Sequence, residues 1–229
     1  MDIFQKHEVF EIEVLDQLQR ANLLQPLVFG GGTMLRLCHD LPRYSVDLDF
    51  WFSKEIQEDT FFSRLEQILE EDYEITDARM KHSTLLLELR SASYPRRLKI
   101  EIRRKVVQWD AQDKIAFSRF STQQVVVRAL TLEQAMHNKL SAFLDRGEIR
   151  DCFDIEFLLR RGVALPPMDL ETIQKLQTKV KKFKPVDYRV KLGSIIEEHI
   201  RSYYTSQGFS YLLENLHSAE RSPRRAWER

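Results

Sequence analysis

Two aspartates, Asp47 and Asp49, lie inside the apolar run VDLDFWF. Asp is disfavoured in strands, and successive side chains of a strand point to opposite faces, so both carboxylates should face one way and their apolar neighbours the other. Two like charges on one face repel each other, and a hard divalent cation with oxygen ligands would compensate that repulsion. The pair therefore predicts a site for a hard divalent cation, and the alternative is a solvent-facing edge strand.

Three consecutive glycines, Gly30, Gly31 and Gly32, end the preceding apolar run, and Thr33 opens a short helical pattern after them. The cluster takes three of only 7 glycines in the chain. Backbone without Cβ atoms can turn sharply and expose N–H groups, and a helix N-terminus just beyond favours a phosphate. A phosphate cradle beside a metal site predicts chemistry on a nucleotide, whereas the alternative is a simple turn between strand and helix.

The combined pattern, GGTMLRL from Gly31 and RYSVDLDF from Arg43, resembles the AbiEii/AbiGii family of abortive-infection toxins. That family belongs to the nucleotidyltransferase superfamily that includes DNA polymerase β, and the resemblance covers about residues 27–160. It implies catalysis with Mg²⁺ or Mn²⁺ as cofactor and an NTP as substrate. The residues it places at the nucleotide phosphates are Gly31, Gly32 and Thr33, and those it places at the metal are Asp47 and Asp49.

A third carboxylate usually completes the metal site of this superfamily from a neighbouring strand. Glu101 lies in LKIEI, on the polar face between apolar neighbours, and is the predicted third metal ligand. Glu88 in LLLELR has a similar setting and stays an alternative. A structural alternative for Glu101 is a cross-strand ion pair with Arg or Lys.

A second set of residues resembles the family's downstream signature, a Lys on one helix and Arg-Asp-x-x-Asp at the start of the next. Here these are Lys139 and, from Arg150, the run RDCFD. Lys139 is a compact cation suited to a triphosphate, and Asp151 near a helix N-terminus is electrostatically favoured. We therefore predict catalytic roles for Lys139 and Asp151, nucleotide binding by Lys139, and a structural role for Arg150 and Asp154.

The elements that must position these residues change in character near residue 130. Before it, helices are predicted at 4–21 and 60–69, and strands at 73–79, 84–89, 98–107 and 124–130, together with the two strands of the motif. After it, helices are predicted at 132–146, 150–161, 169–182 and 188–205. The fold class is thus α+β: a nucleotidyltransferase domain over 1–130, with a mixed β-sheet flanked by helices, and a helical domain over 131–229 that completes the active site. Only the tail from Arg221 to Arg229 is predicted to be loose.

Composition leaves the acceptor and partners open. Lys plus Arg and Asp plus Glu number 35 each, so bulk charge does not indicate a nucleic-acid binder. Local basic runs, such as Lys179 to Lys184, are compatible with an RNA path or with a solvated face. The six histidines lack zinc-ligand spacing, and the two cysteines fit free thiols in a reducing compartment. Without a signal peptide or an apolar run of spanning length, the expected location is cytoplasmic, with no membrane association.

The predicted function is transfer of NMP from an NTP to an acceptor. The resemblance implies a toxin role, an RNA acceptor such as tRNA and an antitoxin protein as partner. Two alternatives stay open: a nucleotidyltransferase that acts on a protein or on a small molecule such as an aminoglycoside, and a non-catalytic nucleotide-binding module.

Overall fold

The computed structural model describes residues 1–221, so the tail predicted to be loose lies outside them apart from Arg221. The chain divides into two compact units, Met1–Thr131 and Leu132–Arg229. None of the helices in the described range is both long and apolar enough to cross a membrane.

The first unit is built on a seven-stranded mixed sheet with the order β3-β4-β5-β2-β1-β7-β6. Its helices are α1 Ile3–Arg20, α2 Gly31–His39 and α3 Glu58–Glu70. Its strands are β1 Leu27–Gly30, β2 Asp47–Phe52, β3 Glu74–Met80, β4 Thr84–Arg90, β5 Leu98–Arg103, β6 Ala111–Phe117 and β7 Gln124–Leu130. Strand β1 runs antiparallel to β2 and parallel to β7, and β2 runs parallel to β5. The predicted α+β fold with a mixed sheet is confirmed.

Strand β2 has the alternation that its sequence predicts. Leu48, Phe50 and Phe52 are buried, whereas Asp47 and Asp49 on the other face are partly exposed. The short neighbouring strand β1 is buried along its whole length, because it lies in the middle of the sheet. The sheet thus has an apolar layer on one face of β2 and a line of carboxylates on the other.

Helix α1 begins with a capping box in which the Asp2 side chain accepts hydrogen bonds from the backbone N–H groups of Phe4 and Gln5, and Gln5 reaches back to the Asp2 N–H. The helix buries a polar stripe, His7, Glu8 and Glu11, as well as an apolar one. A helix with buried ionisable groups needs polar partners on the elements it packs against.

The second unit is helical within the described residues. It contains α4 Leu132–Arg146, α5 Ile149–Arg160, α6 Leu170–Lys181, a π-helical segment Asp187–Leu192, α7 Glu198–Gln207 and α8 Ser210–Arg221. Helix α5 is buried along most of its length. Its Glu156 is fully buried and pairs with Arg160 of the same helix at 3.0 Å. Glu156 also accepts a 3.1 Å hydrogen bond from the Leu212 N–H, and this bond links α8 to α5.

Four elements differ from the sequence prediction. The single helix expected over 188–205 is a π-helical segment and a separate α7. Gly193 donates to the Tyr188 carbonyl five residues back, and a Cβ there would collide with the Arg189 carbonyl. Strand β6 and helix α8 were not predicted, and β5 ends at Arg103 rather than at residue 107.

Candidate active site

The carboxylates predicted to bind metal meet on two adjacent strands. In the register of β2 and β5, Asp49 lies opposite Glu101 and Asp47 lies opposite Lys99. Residues directly opposite each other share a face, and neighbouring strands lie about 4.8 Å apart. The side chains of Asp47 and Glu101 are 31% and 20% exposed, so this carboxylate face is accessible to a ligand.

Lys99 lies among these carboxylates. Its Nζ atom is 3.0 Å from Glu101 Oε1 and 3.6 Å from Asp47 Oδ2. Partial burial lowers the pKa of Lys99, but the hydrogen bond to Glu101 and the charges of the two aspartates raise the pKa by more, so the ammonium stays charged. Asp47 and Glu101, two of the three carboxylates, therefore stabilise the positive charge of Lys99.

Glu88, the alternative third carboxylate, lies one strand farther from the two aspartates. Glu88 lies on β4, opposite Lys99 of β5. Its Oε1 atom accepts hydrogen bonds from Thr76 and Arg97, both at 2.7 Å, and the Thr76 bond is the main reason that its pKa is lowered. Glu88 thus belongs to a separate group of contacts, and Glu101 is the carboxylate beside Asp49.

The glycine turn lies directly against the carboxylate face. Gly31 has φ +74°, a conformation that L side chains rarely adopt, and a Cβ at this position would collide with the Asp49 carboxylate. A Cβ on Gly32 would approach Arg43 Nη2 to 2.5 Å and Ser45 Oγ to 2.7 Å. These two glycines bring the backbone next to Asp49 on one side and to a buried guanidinium on the other.

The side chain of Thr33, a residue predicted to lie at the nucleotide phosphates, points into the protein. The residue is fully buried, and its hydroxyl donates a 2.6 Å hydrogen bond to the Asp47 carbonyl. This contact has a physical reason: β1 ends at Gly30, opposite Asp49, so the part of β2 that contains Asp47 extends past its neighbour. The Thr33 hydroxyl satisfies a carbonyl there. Its backbone N–H, in the first turn of α2, stays among the donors that a helix N-terminus offers to an anion.

In the second unit, Lys139 and the two aspartates of α5 form a compact ionic cluster. Lys139 Nζ is 2.7 Å from Asp154 Oδ2 and 3.8 Å from Asp151 Oδ1. Both oxygens of Asp151 accept 2.7 Å hydrogen bonds from Arg146. Both aspartates are fully buried, whereas the Lys139 side chain is 11% exposed.

The catalytic role of Asp151 stays a prediction. Its carboxylate is fully buried and accepts hydrogen bonds from Arg146 at both oxygens, so its contacts hold Arg146 and the neighbouring Lys139 in place. A structural role for Asp154 fits its burial and its 2.7 Å contact with Lys139.

Several residues at these sites escaped sequence reasoning. Lys99 was not predicted as a site residue, although it lies two residues before Glu101 and so shares its face of β5. Arg43 lacked an assigned role and is 3% exposed, with its guanidinium against Gly32. His7, three residues before the buried Phe10, shares the helical periodicity of the buried face of α1, which was the signal that a polar residue points inward.

Asp47, Asp49 and Glu101 offer only oxygen atoms as ligands. Across residues 1–221, no group of three or more His, Cys, Asp or Glu side chains is arranged closely enough to hold a metal ion. The chemistry of Asp47, Asp49 and Glu101 nevertheless fits Mg²⁺ or Mn²⁺, which take oxygen ligands. The position of the Lys99 ammonium indicates that this face stabilises positive charge.

Comparison with known proteins gives a family match over most of the chain. The family described as nucleotidyl transferase AbiEii toxin, type IV TA system, matches residues 13–221. No curated protein matches the chain.

Three solved structures have a similar fold. A Helicobacter pylori protein assigned as a nucleotidyltransferase has a TM-score of 0.56 and 21% identity, over 93% of this chain and 97% of that one. JHP933 from Helicobacter pylori has a TM-score of 0.53 and 20% identity, over 93% and 96%. The nucleotidyltransferase toxin MenT4 from Mycobacterium tuberculosis H37Rv has a TM-score of 0.53 and 16% identity, over 92% and 85%. The fold of this chain is thus a nucleotidyltransferase fold.

Proposed function

We propose that this chain, which belongs to the AbiEii family of nucleotidyltransferase toxins, transfers NMP from an NTP to RNA, such as tRNA, with Mg²⁺ or Mn²⁺ as cofactor. One observation carries the proposal: Asp47, Asp49 and Glu101 lie on one accessible face, and the glycine turn lies directly against it. A metal and a triphosphate require these two features side by side.

The residues divide the work of binding. Asp47, Asp49 and Glu101 would hold the cation, and the backbone N–H groups of Gly31, Gly32 and Thr33 would bind phosphate oxygens. When bound, the divalent cation neutralises charge on the triphosphate and lowers the pKa of the attacking hydroxyl. The acceptor hydroxyl then bonds to the α-phosphorus while the bond to the bridging oxygen breaks and pyrophosphate leaves. The hydroxyl proton would pass to solvent.

Lys139 would bind the triphosphate as a cation, and Asp151 and Asp154 hold its ammonium group in place. Support for an RNA acceptor comes from Lys181, Lys182 and Lys184, which are exposed near the end of α6. Exposed cations of this kind bind backbone phosphates, and such binding weakens with salt. An RNA and NTP substrate would place the protein in the cytoplasm, and the family description supports a cognate antitoxin.

The experiment compares the wild type with Asp47→Ala/Asp49→Ala and with Asp113→Ala as a matched control. Asp113 is a 74% exposed carboxylate on β6 of the same unit. Each protein is incubated with α-labelled NTPs, Mg²⁺ and either total RNA or total protein. We expect label in RNA with the wild type and the control, and none with the double variant. Transfer that survives in the double variant would sink the assignment, and label only in protein would overturn the RNA acceptor.

A further inference from the structure

The loop between α2 and β2 is held at three points by the first half of α1. The ring of Phe4 stacks on Tyr44 with centroids 4.8 Å apart and an interplanar angle of 10°. Glu8 pairs with Arg36 at 3.0 Å. Arg36 in turn donates a 2.9 Å hydrogen bond to the Leu41 carbonyl.

The third contact involves His7 and is the nearest to the carboxylate face. Its Nε2 atom is 3.1 Å from the carbonyl oxygen of Val46, the residue before Asp47. A carbonyl can only accept, so Nε2 carries the proton and donates it. The Thr33 hydroxyl holds the next carbonyl, that of Asp47. Side chains from two helices thus bond two consecutive carbonyls where β2 extends past the end of β1.

A histidine at this position lowers the stability of the fold unless its N–H group makes a needed contact. The residue is 1% exposed, and its Nδ1 atom is buried without a hydrogen-bond partner. Burial lowers the pKa of His7 to about 4, so the imidazole is neutral at pH 7. An apolar side chain of similar size would avoid both penalties, but it could not donate to the Val46 carbonyl.

We propose that His7 is a positioning residue for Asp47, and that the segment from Phe4 to Glu8 acts as a clamp that fixes loop 40–46 beside the metal-binding face. This clamp lies outside residues 13–221, over which the family matches. The inference rests on the proposed function for its consequence, metal and nucleotide binding, but the clamp itself is defined by contacts in the first unit. Partners that orient metal ligands contribute about 10–100-fold in metal affinity.

The test compares His7→Leu, which removes the N–H donor, His7→Gln, which restores one, and Lys6→Ala, which removes an exposed neighbouring side chain. Amide hydrogen exchange of loop 40–46 is measured by mass spectrometry in the absence of nucleotide, with strand β4 as internal reference. We expect exchange in the loop to rise more than about tenfold in His7→Leu alone. Exchange in β4 should be unchanged, and His7→Gln and Lys6→Ala should resemble the wild type.

A second readout is the affinity of Mn²⁺ together with the α,β-methylene analogues of the four NTPs, measured by calorimetry. His7→Leu should weaken it by about 10–100-fold, and His7→Gln should restore it. Unchanged loop exchange in His7→Leu, equal increases in loop and β4, or failure of Gln to restore protection would each overturn the clamp. If His7→Leu does not fold, Phe4→Leu should raise loop exchange through loss of the Tyr44 stack.

The exchange measurement separates this inference from the proposed function. A protein without transferase activity, but with a loop that opens in His7→Leu, would refute the function and support the clamp. An active enzyme in which His7→Leu leaves loop exchange unchanged would support the function and refute the clamp.

Discussion

The carboxylates of the sheet and those of the helical unit are both paired with lysine, but they differ in exposure. On the sheet, Asp47 and Glu101 are 31% and 20% exposed, and Lys99 is 33% exposed. In the helical cluster, Asp151 and Asp154 are fully buried, and Lys139 is 11% exposed. Similar residue types thus form an accessible face in one unit and a closed network in the other.

The difference indicates which carboxylates can exchange partners. Solvent can reach the sheet face, so Lys99 can be replaced by another cation there at modest cost. A buried pair loses far more when one partner is removed, because the remaining charge is left desolvated. The sheet carboxylates are therefore suited to binding, whereas those of α5 are suited to fixing the position of Lys139.

Asp151→Asn should lower stability more than any other substitution of this series. An unchanged stability would contradict the distinction between buried and accessible carboxylates. The substitution removes the charge that bonds Arg146 at both oxygens. Arg146 is 45% exposed and Lys139 keeps its pair with Asp154, so the cost is that of the lost charged hydrogen bonds, about 3 kcal/mol. For a protein of this size that lowers the melting temperature by about 10 °C, measured by circular dichroism.

Two controls sharpen this result. Glu171→Gln removes an exposed pair with Lys175 in the same unit and should leave the melting temperature unchanged. Glu101→Gln on the sheet face should also unfold near the wild-type temperature. Equal destabilisation by Asp151→Asn and Glu101→Gln would mean that exposure does not separate the two groups.

The two regions should also differ in pH dependence, because a neutral imidazole supports the sheet site. The pKa of His7 is lowered from 6.5 to about 4 by burial. Between these values the unfolded chain binds a proton that the native state does not, so stability is fully present above pH 6.5 and falls as the pH falls toward 4. The loss amounts to about 3 kcal/mol.

Denaturant unfolding of wild type and His7→Gln at pH 7.0, 5.5 and 4.5 isolates this contribution. Burial raises the pKa of Glu11, whose Oε1 atom is 3.6 Å from His7 Nε2, so the two groups titrate as a coupled pair. The comparison is therefore repeated in a Glu11→Gln background, where His7 is the only group of the pair that titrates. The wild type should lose stability relative to His7→Gln as the pH falls. Parallel pH profiles would contradict the assignment of a neutral buried His7.

Much of the fold could be predicted from sequence because its periodicities are local. The strand over 124–130 and the helix over 132–146 have the predicted bounds, since each has an uninterrupted pattern and a clear start. Strand β6 could not be recognised in the same way, because its apolar residues Ile115 and Phe117 face solvent at the sheet edge. The break at Gly193 depends on π-helical hydrogen bonds that no periodicity reveals.

The candidate site was predictable only where function is encoded in contiguous residues. The glycine turn and the two aspartates are such a case, because both lie within one stretch of 20 residues, 30–49. The hydrogen bond from His7 to Val46 could not be predicted in this way, since 39 positions separate the two residues in sequence and only the packing of α1 brings them together. The burial of Asp151 likewise depends on the packing of α5, so the sequence could not separate a positioning role from a catalytic one.

Glu101→Gln and Glu88→Gln should separate the two candidate third carboxylates by activity, with the smallest effects of this series. Glu101 lies opposite Asp49, so loss of its charge should reduce transfer by ~100-fold, about 2.7 kcal/mol in the barrier. Glu88 contacts Thr76 and Arg97 instead, so its replacement should change activity by less than about twofold. Single-turnover transfer of label from NTP to RNA provides the measurement. A larger loss of activity for Glu88→Gln than for Glu101→Gln would mean that the third metal ligand is Glu88 on β4. The metal-binding residues of β2 and β5 would then be the two aspartates of β2 alone.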